Sequence, residues 1–141
     1  MKYTITDSNN TIHKTEKEYK AFFTELGSHS VTADDIKASA ELTARFAEES
    51  HRFIDKVLLC SRTNSSALRL LQTVGYERDM ACDDLAMHLV MKKLDCLPLH
   101  DPDHIIPLIV QICHFKLVDI VRKEVKMQPD PLDDLTYASL A

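Results

Sequence analysis

Apolar residues recur along this chain at steps of three and four, in stretches divided by short polar breaks. That spacing predicts amphipathic helices, because it keeps one side of a 3.6-residue repeat apolar. The longest stretch runs through Ile36, Ala40, Thr43, Phe46, Ala47, Ser50, Phe53, Ile54, Val57 and Leu58. It predicts one helix over about 33–60, opened by a capping box at Thr32-Ala-Asp-Asp35. Upstream, Thr15-Glu-Lys-Glu18 has the same capping pattern and predicts a short helix carrying Tyr19, Phe22, Phe23 and Leu26, ended by Gly27. Residues 1–13 alternate weakly, so a short hairpin or a disordered arm is expected there.

Arg62-Thr-Asn-Ser65 interrupts the long periodicity. Ser65 or Ser66 would then cap a short helix through Leu68, Leu70, Leu71 and Val74, stopped by Gly75. A helix over about 82–95 would turn Leu85, Leu89, Met91 and Leu94 inward. Asp83 and Asp84 would sit in its first turn and Lys92 and Lys93 in its last, where the helix dipole favours each sign. Asp101-Pro102 could start one further turn. Pro107 would then open the final helix, which ends at Met127-Gln-Pro129. The expected fold class is all-α, a compact bundle of about five or six helices. Phe46, Phe53, Ile54, Leu58, Leu85, Leu89, Ile112 and Leu117 are the expected core.

Composition agrees with that architecture. Only 2 glycines and 5 prolines in 141 residues argue against a turn-rich β fold. No uninterrupted apolar run approaches the roughly 20 residues of a membrane span, and the start lacks the apolar core of a signal peptide. No membrane partner and a cytoplasmic location are the expectation. The 4 cysteines are widely spaced with no C-x-x-C pair, so free, buried thiols are expected.

Chemistry is sparse. Cys96-x-x-x-His100-x-x-x-His104 has thiolate and imidazole ligands of the kind zinc takes, but Pro98 and Pro102 lie inside it and break any single helical face. There is no Gly-rich phosphate loop, nucleophile elbow or His-Glu-x-x-His pattern. Adjacent Asp83 and Asp84 do not face each other on a helix. The expectation is a protein that is not an enzyme, with no metal and no cofactor.

The final apolar segment, Pro107 to Lys126, carries more information. Leu108, Ile109, Ile112, Cys113, Leu117, Ile120 and Val121 mark one face, and Gln111, Phe115, Asp119, Arg122, Lys123 and Lys126 mark the other. The overall charge is -5, yet residues 105–127 hold four basic and two acidic side chains. Basic groups with an interleaved ring suit nucleic acid, since bases stack on rings while Lys and Arg neutralise phosphates. Phe115 has two readings, a base-facing ring or core at the edge of a broad apolar stripe. His114 likewise could approach a phosphate or base, or be a satisfied or merely exposed histidine.

Two segments in order resemble bacterial sigma factors, especially the extracytoplasmic-function members of the sigma-70 superfamily. Asp83-Asp84-Leu85-Ala-Met-His-Leu-Val-Met-Lys92-Lys93-Leu94 is similar to one family helix. Ile109-Val-Gln-Ile112-Cys113-His-Phe-Lys116-Leu117-Val118-Asp119-Ile120-Val121-Arg122-Lys123 is similar to the helix that follows it. The likeness covers about residues 45–127, the family's second conserved region. It implies three parts: 1–44, an N-terminal extension with a short helix; 45–127, a sigma region 2-like helical domain; and 128–141, an acidic linker or tail.

The resemblance implies that the first of these helices docks on the β′ clamp helices of core RNA polymerase, with Asp84, His88, Met91 and Lys92 as contacts. It implies that the second faces promoter DNA at the −10 element and helps melt it. His114, Phe115, Lys116, Arg122, Lys123 and Lys126 would then be the DNA-facing set, with Asp119 orienting Lys116 or Lys123. The chain departs from the family in several places. Phe115 stands where an Asn is common, an aromatic near Leu108 is missing, and there is no Trp. The helix-turn-helix that reads the −35 element is absent, so the expectation is either one domain of a longer protein or a stand-alone sigma-like protein with a partner protein that supplies that half. The alternative is a helical protein-interaction module, a polymerase-binding adaptor or sigma mimic that does not melt DNA.

Overall fold

A computed structural model describes the backbone from Lys2 to Lys126 and side chains from Asn10 to Val125. The expected acidic tail and the stop at Pro129 lie outside the described residues. Six α-helices follow in order: α1 Lys2–Ser28, α2 Ala33–Ala38, α3 Ala40–Lys56, α4 Arg62–Gln72, α5 Arg78–His88 and α6 Pro102–Lys126. Among the described residues there is no strand, and the helices form the all-α bundle that the periodicity predicts. α1 packs on α3 and α6, α3 packs on α5, and α4 packs on α6.

Several helix ends differ from the sequence expectation. α1 begins near the start of the chain, where a hairpin or disordered arm was the expectation. Thr15 does not cap it. Thr15 is buried within the helix, and its hydroxyl donates to the Thr11 carbonyl at 2.8 Å. Nor does Gly27 stop it. Ser30 takes the left-handed conformation (φ 53°), Val31 N–H donates to Leu26 O, and Ser30 N–H donates to Gly27 O, a Schellman ending. Gly27 faces the His100 backbone, where an added Cβ would make ordinary van der Waals contact at 3.6 Å. The Gly75 expectation holds. Its φ is 83°, and Tyr76 N–H reaches back to Leu71 O.

The helix expected over 33–60 is two helices. Ser39 is extended, ends α2 and caps α3, its hydroxyl accepting from Leu42 N–H at 3.2 Å. Thr43 fixes the corner by donating to Ile36 O at 2.6 Å. α4 starts earlier than expected because Ser61, rather than Ser65 or Ser66, is its cap. α5 also starts early, at Arg78, so Asp79 occupies its first turn and Asp83 and Asp84 sit mid-helix. α6 starts at Pro102, which leaves Pro107 inside it instead of at its first position. By length and composition alone, Pro102–Val125 is apolar enough to cross a membrane. Counting uninterrupted apolar residues misses this, because polar His, Gln and Asp punctuate the stretch.

α5 continues into a π-helical turn over Leu89–Lys93 and a 3-10 turn over Leu94–Cys96. Here the wider turn has a packing reason. An α register would place Lys93 beneath Leu89, whereas a five-residue step brings Leu94 there, fully buried. Met91 is 67% exposed and is not the inward residue expected: two residues on from buried Leu89, about 200° round a helix, it lies on the opposite side.

The aromatic core lies between α1 and α3. Tyr19 stacks on Phe53 at 4.6 Å between ring centroids, Phe23 meets Phe46 at 5.9 Å, and the buried Tyr19 hydroxyl bonds Ser50 Oγ at 2.9 Å. Residue 45 falls inside α3. Of the eight expected core residues, seven are buried, while Ile112 is half-buried against the core. Cys82 and Cys113 are buried free thiols, and burial pushes each up to about 12. Cys60 and Cys96 are exposed, against the expectation, because both lie in turns where the helical face is lost.

Candidate functional site

α5 and α6 frame a cleft of about 620 Å³. From the α5 side come Asp84, Met87, His88, Met91 and Lys92; from α6 come Lys116, Asp119, Ile120, Lys123 and Glu124; Tyr76 closes one end. The sequence-predicted docking residues Asp84, His88, Met91 and Lys92 therefore share one cleft with Lys116 and Lys123 of the DNA-facing set. Spacing explains the alignment: residues 84, 88 and 91 follow one face of α5, and 116, 119, 120 and 123 follow one face of α6.

The cleft balances its charges. The Tyr76 hydroxyl donates to Asp84 Oδ2, tying the connector before α5 to the helix itself. Burial, then that hydrogen bond and the carboxylate charge, push the Tyr76 phenol far up, so it stays a donor. His88 is shifted down, first by burial and then by the cations Lys116 and Lys93, so the ring favours its neutral form. A neutral imidazole between lysines leaves a ring nitrogen free to accept from a partner.

The remaining predicted residues lie elsewhere on α6. Phe115 is 60% exposed, with the His114 ring tilted beside it at 5.9 Å. Its ring is therefore not core. His114 is half-buried, and its Nδ1 meets Asn64 Oδ1 at 3.0 Å. Asn64 is itself buried and donates to Leu58 O at 3.1 Å. This chain of bonds makes His114 a tether between α6 and the turn before α4. Arg122 is half-buried and Lys123 exposed. Lys126 ends α6, and its side chain lies outside the described residues. Among the described residues no ion pair joins Asp119 to Lys116 or Lys123; all three line the cleft.

Residues missed by the sequence reading include Tyr76 and Met87. Met80, Met87 and Met91 form an exposed stripe along α5 and its π turn, at 46%, 49% and 67%. Their seven- and four-residue spacing was a readable signal. Asp83, read as a helix-start charge, instead meets His51 of α3 at 3.2 Å.

The candidate zinc ligands do not converge. His100 Nε2 engages Val31 O at 2.5 Å, His104 pairs with Asp101 at 2.6 Å, and Cys96 is exposed. Among the described residues no cluster of three His, Cys, Asp or Glu side chains could hold a metal ion. Compared with protein-family models, curated proteins and solved structures, the chain matches none.

Proposed function

We propose that this chain is a sigma-type transcription initiation domain, working in the cytoplasm by binding rather than catalysis. In this reading α5 docks on the clamp helices of core RNA polymerase through Asp84, His88, Met91 and Lys92, and α6 faces the −10 region of promoter DNA. The observation that carries the reading is the exposure of Phe115 on α6, where a packing role would require burial. A ring held in solvent on the helix that also carries Lys116 and Lys123 suits an unpaired base on a strand whose phosphates those lysines neutralise. His114 serves this surface from behind, by fixing α6 against α4 through Asn64.

The net charge of -5 means that isolated protein will not hold DNA. Melting requires the polymerase, and recognition of the −35 element comes from a further domain or from a partner protein. The test is co-purification with core RNA polymerase, followed by permanganate reactivity of promoter thymines at two salt concentrations. Base stacking is worth about 1–3 kcal/mol, so Phe115→Ala should lower open-complex yield about tenfold. Lys123→Ala should weaken binding on every sequence and flatten its salt dependence. Normal melting by Phe115→Ala would sink the DNA-facing role.

A second reading, a protein-interaction module that never melts DNA, draws on the exposed methionine stripe. Flexible thioethers suit adaptable protein contacts. It predicts polymerase retention without permanganate reactivity on any promoter, and loss of retention when Met87 and Met91 are both changed to Ser.

A further inference from the structure

α6 carries a second seam on the side turned away from the core. Leu108, Gln111, Phe115 and Val118 recur at steps of three, four and three, the spacing that brings one helix against another. Gln111 and Phe115 stand opposite the buried stripe of Ile109, Cys113 and Leu117, each two residues, about 200° of turn, from a buried one. Both are exposed, and Leu108 and Val118 flank them half-buried, with Pro107 exposed beside them. Only 33% of the most apolar window of α6 is buried. Contiguous apolar surface of this kind marks a contact site.

The seam is symmetric about its middle. Leu108 and Val118 each lie five residues from Cys113, Gln111 and Phe115 each two, and Asp103 and Lys123 each ten. We propose that two copies of this chain pair through α6, antiparallel about a two-fold axis at Cys113. Phe115 then meets Gln111 of the partner subunit, and Leu108 meets Val118 of the partner subunit. Asp103 meets Lys123 of the partner subunit, and each contact is made twice. Charge sets the direction. A parallel pair would bring like charges together at 103 and at 123, whereas the antiparallel pair matches opposite signs at both ends. Asp103 and Lys123 are both exposed. Asp103 gives one carboxylate oxygen to Lys20 at 2.8 Å, which leaves Oδ2 for a second cation.

Reach permits it. Asp103 and Lys123 lie about 15 Å along the helix from the axis, at 1.5 Å per residue. Two helices crossing at about 20° stand about 5 Å apart sideways at that distance, which a lysine stem bridges. α1, α4 and α5 already hold α6 in place, so pairing orders no new helix. The consequence is that the pair covers Phe115. Any other ligand of that ring, nucleic acid included, must first separate the two copies. The pairing does not depend on which ligand that is, so it stands or falls apart from the promoter reading.

Sedimentation equilibrium of the full chain, without polymerase or DNA, tests it. The expected result is a reversible equilibrium between monomer and dimer. Phe115→Ser should raise the dissociation constant more than about tenfold, since the ring is used twice, and leave the thermal melt of the dilute chain unchanged. Asp103→Lys and Lys123→Asp should each weaken self-association. An equimolar mixture of those two variants should form a heterodimer, because each supplies the charge that the other lacks. A mixture that associates no better than its components would overturn the antiparallel register and the proposal with it. So would a dimer that Phe115→Ser leaves unchanged. A chain that stays monomeric up to about 1 mM would also overturn it, and flotation of that monomer with phosphatidylcholine vesicles would assign the face to a bilayer instead.

Discussion

The α1–α3 face and the α5–α6 face use similar residues to opposite ends. Between α1 and α3, Tyr19, Phe22, Phe23, Phe46 and Phe53 are all buried, and their rings touch one another. Along α5 and α6, Met80, Met87, Met91 and Phe115 stand in solvent. Burial of apolar surface stabilises the fold roughly in proportion to area, so the first group holds the molecule together and the second contributes little.

The comparison breaks most readily by truncating one ring from each face. Phe53→Ala should cost about 3–5 kcal/mol in urea unfolding, since it removes a fully buried ring stacked on Tyr19. Phe115→Ala should cost less than about 0.5 kcal/mol, the range for exposed sites. Equal costs would erase the distinction between the faces. Next in size is Tyr19→Phe, which leaves the buried Ser50 hydroxyl without its partner and should cost about 1–3 kcal/mol by the same measurement.

A smaller effect should link α3 to α5 near the boundary between the faces. Burial of Asp55 works against its ionised form. The Arg78 hydrogen bond and charge, with Lys56, outweigh that and hold the carboxyl below its usual range. Arg78 Nε donates to Asp55 Oδ1 at 2.6 Å, and a second guanidinium N–H donates to the Asp55 carbonyl. Arg78→Ala should lower stability by about 1–2 kcal/mol, discounted for screening because the pair is partly exposed.

The smallest effect is a pH dependence confined to the cleft. His88 is depressed in the folded state relative to about 6.5 unfolded. Its contribution is therefore present above about pH 6.5 and is lost as pH falls through the folded value, because the unfolded chain binds the proton first. His88→Gln should flatten the stability–pH profile below pH 6.5 relative to wild type, read by thermal melts. An unchanged difference across that window would mean that neither burial nor the lysines shift the ring.

Sequence periodicity by itself determined that the fold is helical and placed most of the buried positions on their inward faces. Leu85, Leu89, Leu94 and Leu117 were readable in this way, because a 3.6-residue repeat leaves one apolar stripe and burial favours it. Local hydrogen-bond chemistry was less legible. Thr15 has the letters of a cap yet sits mid-helix, and Ser39 breaks a periodicity that runs through it unbroken. Only tertiary structure decided what lies opposite each face. It aligned Lys116 and Lys123 with Asp84 and His88 across one cleft and joined Asp84 to Tyr76 and His114 to Asn64. It also left Phe115 uncovered. A sequence states which residues seek burial; whether a neighbouring helix arrives to cover them depends on how all six pack together.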